Sequence, residues 1–321
     1  MRSIFVLVLS AALFSCADAP AGPPARIAIE GEPPVLLLQA PGPRIEAAVS
    51  PDRWGQIVGY RLGGEDILWP SAKGNSGFRL DIGPEPRTVP VPHPEIDRRA
   101  WEWAKVGDLA VTMKSPPCPS LGLQVHRQVS IDGGTGALSV VSRMKNISAQ
   151  EQSWCFWDRT LAQGGGFTII PLNPRSRFKA KWALGRQGAK RPWDYDGDAP
   201  AHENCRVIDG VLVVKSVGTP TKVGADSDAG WIGYARGSLL FVKYYAYDPK
   251  GSYTDGGLSV AHYFSQAFAE LEPISPEVAL PPSGEYVFPE RWTLVRLDAP
   301  VTSFEAARAA ASLVPPSPLP R

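Results

Sequence analysis

Leu123-Gln124-Val125-His126-Arg127-Gln128-Val129-Ser130-Ile131 sets four apolar residues and Arg127 at its odd-numbered positions and polar residues at its even-numbered ones. The period is two. Only an extended chain sends alternate side chains to opposite faces, so this stretch predicts a half-buried strand. Asp132-Gly133-Gly134-Thr135-Gly136 follows as a glycine-rich turn, and Leu138 to Met144 resumes the pattern, which predicts a hairpin. Outward from this hairpin, strand candidates recur at Gln56 to Leu62, Phe78 to Ile82, Ala110 to Lys114, Ser153 to Asp158 and Val211 to Lys215. They continue at Trp231 to Ala235, Leu239 to Tyr247, Leu258 to Phe264 and Glu290 to Leu297. The persuasive helix is Phe304 to Leu313, Ala-rich, capped by Ser303 and followed by a proline-rich tail. With no βαβ alternation and no fixed-period repeat, the fold class is all-β, a sandwich of at least a dozen strands.

Composition agrees with this reading. The 321 residues include 33 Pro and 31 Gly, an excess that suits many turns but stays below the range of disordered chains. Ten Trp, 9 Tyr and 11 Phe can fill a core and still leave rings for a ligand site. Lys plus Arg number 33 against 32 Asp plus Glu, so nucleic acid is excluded as a dominant partner.

The first residues read as an export signal. Arg2 is followed by the apolar run Ile4 to Phe14, too short to span a membrane, and then by Leu13-Phe14-Ser15-Cys16, which resembles a bacterial lipobox with Cys16 as the lipidated residue. Phe14 departs from the small or aliphatic residue usual there. Residues 1–16 are thus a signal peptide, residues 17–43, with seven prolines, a stiff tether, and residues 44–300 the sandwich, ahead of a helix and tail over 301–321. The expected location is the periplasmic side of a bacterial membrane, lipid-anchored, with a soluble exported form as the alternative. Cys118, Cys155 and Cys205 allow at most one internal disulfide. No metal-ligand spacing occurs and no cofactor motif is found; loop aspartates such as Asp226 and Asp228 read as turn formers.

Two stretches carry a family resemblance. One is Ser50-Pro51-Asp52-Arg53-Trp54-Gly55-Gln56 through Gly63-Gly64-Glu65-Asp66-Ile67-Leu68-Trp69; the other is Glu270-Leu271-Glu272-Pro273-Ile274-Ser275-Pro276 with Pro281-Pro282-Ser283-Gly284-Glu285-Tyr286. Together they resemble a bacterial domain family of the galactose mutarotase-like superfamily, relatives of aldose 1-epimerase, over roughly residues 40–300. The resemblance implies a large β-supersandwich and a saccharide ligand.

It also implies a chemistry. Interconverting sugar anomers requires a base at the anomeric hydroxyl and an acid at the ring oxygen. In mutarotases a late-chain Glu is the base, an imidazole is the acid and an early-chain Arg holds sugar hydroxyls. Glu270 and Glu272 lie two apart and share a strand face, so either fits the base, and Arg79 fits the early Arg. The family's histidine motif is missing: Asn146-Ile147-Ser148 leads instead to Trp154-Cys155-Phe156-Trp157-Asp158-Arg159. His126 and His262 are the substitute acids on offer, and Trp154 and Trp157 are candidate sugar-stacking platforms. The expected function is therefore an envelope lipoprotein with a mutarotase-like carbohydrate-binding domain, whose catalysis, if present, is epimerase-like. Two alternatives stay open: a noncatalytic envelope interaction protein, and a polysaccharide lyase or hydrolase drawing on Tyr244, Tyr245, Tyr247 or Tyr253.

Overall fold

The computed structural model describes residues 26–27, 35–40, 42, 44–70, 76–88, 93–186, 194–196 and 200–319. The quoted hairpin forms as Leu123–Ile131 and Leu138–Asn146, antiparallel, with Leu138 opposite Ile131 and Ser142 opposite Arg127. The odd-numbered positions of its first strand are buried and the even-numbered ones are not. Arg127 obeys the alternation although it is charged: its guanidinium lies 4.5 Å over the Phe78 ring and 4.8 Å over Trp101 and bonds the Gly55 carbonyl. A buried guanidinium costs less when its faces stack on rings and its N–H groups find acceptors.

Among the described residues strands make up 54% and helix 6%, in two antiparallel sheets. Among the described residues the large sheet has 13 strands. Its centre runs from Gly77–Gly83 through Gln152–Gln163, Phe268–Pro273 and Val260–Phe264 to Thr221–Ala225. The small sheet has nine among the described residues, running from Cys205–Ile208 at one edge to Glu102–Lys105 at the other. The inner faces meet in one core in which Trp292 packs edge-on against Tyr60, Phe78 and Phe241. This is the architecture expected of the galactose mutarotase-like fold.

Backbone details locate the early motif. Gly63 and Gly64 both have positive φ, the two-residue turn that matches strand twist, and close Gln56–Leu62 onto Glu65–Asp66. Gly77 has φ +57, and a Cβ there would overlap the Ile57 carbonyl oxygen, so neighbouring strands can approach only because this residue lacks a side chain. Asn146 is wholly buried; its amide donates to the Gln150, Leu280 and Pro281 carbonyls and its oxygen accepts from Ser148, so the Asn-Ile-Ser triplet is a turn clamp.

Three boundaries differ from the sequence reading. Val35–Gln39 is a strand paired with Ile45–Ser50, so the sheet starts inside the stretch read as tether; Val35 to Leu38 are all buried, which a solvated tether would not allow. Trp231–Tyr245 is a single strand, because Gly237 at φ +56 makes a bulge where a break was expected. Glu285–Val301 is one strand of 17 residues. The helix forms at Phe304–Ala310, continues as a tight turn to Leu313, and is capped by Ser303, whose Oγ accepts from the Ala306 N–H at 3.1 Å. Cys118, Cys155 and Cys205 are all free thiols. The signal sequence, Cys16 and most of the tether lie outside the described residues. No helix among the described residues is long and apolar enough to cross a membrane.

Candidate functional site

Alternation along the central strands of the large sheet sorts two sets of side chains. Phe78, Leu80, Phe156 and Leu271 enter the shared core. Their neighbours Arg79, Asp81, Trp157, Arg159, Glu270 and Glu272 therefore share the sheet's other, outer face. Strand register draws them together: Arg79 is opposite Arg159, Asp81 opposite Trp157, and Glu270 opposite Tyr263, which in turn is opposite Lys222. Arg159 Nε lies 2.9 Å from Asp81, its Nη2 pairs with Glu85, and Arg79 approaches Asp81 at 3.5 Å. Lys222 Nζ is 3.0 Å from Glu272 and 4.7 Å over the Trp157 ring, while the Trp157 indole N–H donates to the same Glu272 oxygen at 2.6 Å.

The two glutamates are driven apart. Burial alone would raise Glu272, but Lys222, Arg159 and the indole hydrogen bond outweigh it and hold its carboxyl below the usual range. Glu270 is 7% exposed and accepts no hydrogen bond from the described residues. Burial, then the charge of Glu272, push its carboxyl up to about 7 against the pull of Arg159, Arg79 and Lys222. One carboxylate is thus fixed as an anion, and the other is poised to take or give a proton near neutrality. For Arg159 burial would lower the guanidinium, yet Asp81, Glu272, Glu270 and Glu85 keep it firmly protonated.

Rings border this charge cluster on both sides. Half-buried Trp69, Phe268 and Tyr263 form a row in which the Phe268 ring lies 4.9 Å from Trp69 and 5.8 Å from Tyr263. On the other side Phe178 and Tyr195 pack over Cys155, Trp157, Leu258, Ala261 and Ile274. Among the described residues, neither the buried Tyr195 hydroxyl nor the second oxygen of Glu272 has a hydrogen-bond partner. Buried polar atoms of this kind call for an account, and a polar ligand supplies one.

Of the residues singled out in the sequence, Arg79, Trp157, Glu270 and Glu272 come together. Trp157, at 1% exposure, lies beneath the ion pairs and offers no open ring face. Trp154 faces the other way, buried, with its indole N–H on the Leu121 carbonyl at 3.1 Å. Neither histidine reaches the outer face, which corrects the expectation of a substitute acid. His262 points inward and is fully buried between Thr168 (3.0 Å), Ser216 (3.2 Å) and the Glu270 carbonyl (2.8 Å), and burial pushes its imidazole down to about 4. His126 projects from the far side of the small sheet, in register with Lys114 and Arg143. The tyrosines considered for lyase chemistry are elsewhere: Tyr244 bonds the Pro315 carbonyl, Tyr245 is in the shared core, and Tyr247 stacks on Tyr253. Sequence reading missed Arg159, Lys222, Glu85, Tyr195 and the Trp69-Phe268-Tyr263 row; the same parity that selects Trp157 also selects Arg159.

No protein-family model matches the sequence, and none of the curated proteins is similar to it in sequence. Solved structures are similar in fold. A galactose mutarotase-like protein from Lactobacillus casei superposes with a TM-score of 0.57 at 10% identity, over 81% of this chain and 100% of its own. The Slr1438 protein of Synechocystis gives 0.58 at 13% identity, over 85% and 99%. A galactose mutarotase related enzyme from Lactobacillus acidophilus gives 0.54 at 8%, over 84% and 100%.

Proposed function

We propose that the outer face of the large sheet binds a neutral sugar and that Glu270 is the group that exchanges a proton with it. The observation that carries this reading is the Glu270 carboxyl itself, buried, unbonded by the described residues and held near neutrality. The surrounding charge favours a neutral ligand: Arg79, Arg159 and Lys222 are set against Asp81, Glu85 and Glu272, so an anionic sugar would have no unmatched cation to meet. Charged side chains give strong, directional hydrogen bonds to hydroxyls, and the Trp69-Phe268-Tyr263 row offers apolar ring faces. With both imidazoles elsewhere, ring-oxygen protonation lacks its usual donor. Binding is therefore the primary activity and anomer exchange a slow one.

On the same reading the chain is an envelope lipoprotein. Its support is the Ile4 to Phe14 run ending at Cys16. Metabolic palmitate labelling in a bacterial host should mark the wild type and not Cys16→Ser; label that persists in the variant would remove the anchor from the proposal.

The site is tested by calorimetric titration with a panel of neutral aldoses, alongside NMR exchange of their anomers. Arg79→Ala should weaken binding by about 10- to 150-fold through loss of a charged hydrogen bond. Glu270→Gln should leave binding within about tenfold and abolish exchange. Unchanged affinity in the first variant together with unchanged exchange in the second would reject the site.

A further inference from the structure

The small sheet also has an outer face, and the C-terminal helix covers only half of it. Ala307 and Ala310 of that helix pack with Ile169, Val213, Leu240 and Tyr244. The other half, built from Glu102–Lys105, Ala110–Lys114 and the opening hairpin, carries outward polar side chains instead. A cavity of about 490 Å³ opens there, lined among others by Thr112, Lys114, His126, Gln128 and Arg143. Two packed sheets separate it from Glu270.

Its chemistry is specific. Lys114 is opposite His126, and His126 opposite Arg143, so three nitrogen-bearing side chains form a row across three strands. Lys145 stands two residues beyond Arg143 and adds a third permanent cation. Lys114 pairs with Glu102 at 2.7 Å, and Glu285 is shared between Arg143 at 2.5 Å and Lys145 at 3.8 Å. Three fixed cations thus face two carboxylates. The Glu102 side chain is 79% exposed, so its pair with Lys114 is easily exchanged for another anion.

We propose that this cavity is a second ligand site, for a carboxylate-bearing saccharide whose acid group meets Lys114, His126 and Arg143. The volume is that of a small-molecule site, and Thr112 and Gln128 add hydrogen-bonding groups for hydroxyls. The charge excess selects an acidic ligand over a neutral one, the reverse of the Glu270 site. Binding is coupled to a proton. In the free protein burial, then Lys114, disfavour the His126 imidazolium, with Arg143 and Lys145 acting in the same sense and Glu285 against them. A bound carboxylate offsets those cations, so His126 takes up a proton and affinity rises as pH falls through the imidazole range.

The test titrates the full chain with trigalacturonate and, separately, with the neutral trisaccharide maltotriose, reading heat and the His126 ring signals by NMR. At pH 6 trigalacturonate should bind at least about tenfold tighter than maltotriose, weaken about three- to tenfold by pH 8, and raise the His126 pKa. Lys114→Gln with Arg143→Gln should cost about tenfold or more; these side chains are exposed enough for folding to survive, which circular dichroism verifies. Equal binding of the two trisaccharides, absence of trigalacturonate binding at millimolar concentration, or wild-type affinity in the double variant would overturn the proposal.

Discussion

Glu270 carries the most informative single-residue consequence. Its carboxyl titrates near 7 in the folded protein against the ordinary 4.5, so between those values the native state holds a proton that the unfolded chain has lost. Stability from this group is therefore present below about pH 4.5 and is lost as pH rises through 7, at a cost of about 3 kcal/mol. Glu272 acts in the opposite sense, since its carboxyl is held low, but only at more acidic pH. Glu270→Gln should thus match the wild type near pH 5 and exceed its unfolding free energy by up to about 3 kcal/mol at pH 8.5, in urea titrations at the two pH values. A variant no more stable than the wild type at pH 8.5 would mean that Glu270 is not held near neutrality. Glu270 and Glu272 were legible as a pair because residues two apart on a strand share a face. His262 was misread for a related reason: Val260–Phe264 is buried on nearly every residue, so alternation does not say which face is which. Arg159 and Lys222 reach the glutamates only through pairing of strands distant in sequence, which local pattern does not encode.

Strands were legible where one face is wet, as in Leu123–Ile131, and poorly legible where both faces are covered, as in Val35–Gln39, whose apolar run gives no period. Turn chemistry then decides how strands meet, and two glycines separate its components. Gly63 has φ +62, and a Cβ added to it would meet nothing within 4 Å, so Gly63→Ala carries only the cost of a left-handed backbone, about 1–2 kcal/mol. Gly77 has similar φ but would drive its Cβ into the Ile57 carbonyl. Gly77→Ala should therefore cost clearly more than Gly63→Ala, at least about 3 kcal/mol, because the strand pair must separate as well. Urea midpoints of the two variants compare them directly; equal losses would show that the close approach of Gly77 to Ile57 carries no weight.

At the scale of the molecule the two sheets are joined by an ionic contact as well as by apolar packing. Lys243, from Trp231–Tyr245 of the small sheet, is completely buried; its ammonium pairs with Asp158 and donates to Thr160 at 2.6 Å on the large sheet, and lies 3.2 Å from Glu290 of its own sheet. Glu290 also accepts from the Trp292 indole at 2.9 Å, which ties the ionic cluster to the aromatic centre of the core. Burial, reinforced by the charge of Glu290, pushes Asp158 well above its usual range, and Lys243 is what opposes that rise. Such a cluster contributes little net energy compared with apolar side chains, but removing one partner strands the others. Lys243→Met should therefore lose about 3–5 kcal/mol at pH 7 and recover part of it as pH falls, because the abandoned Asp158 carboxylate, which burial pushes up, then binds a proton in the folded state. Combining it with Asp158→Asn removes the directly paired charges together, leaves Glu290 to offset the buried Arg127, and should restore most of the loss. Urea unfolding at pH 7 and pH 5 decides the matter: a loss below about 1 kcal/mol in Lys243→Met, or a double variant no better than the single one, would mean that the sheets are held by apolar packing alone and that the buried charges are incidental to it.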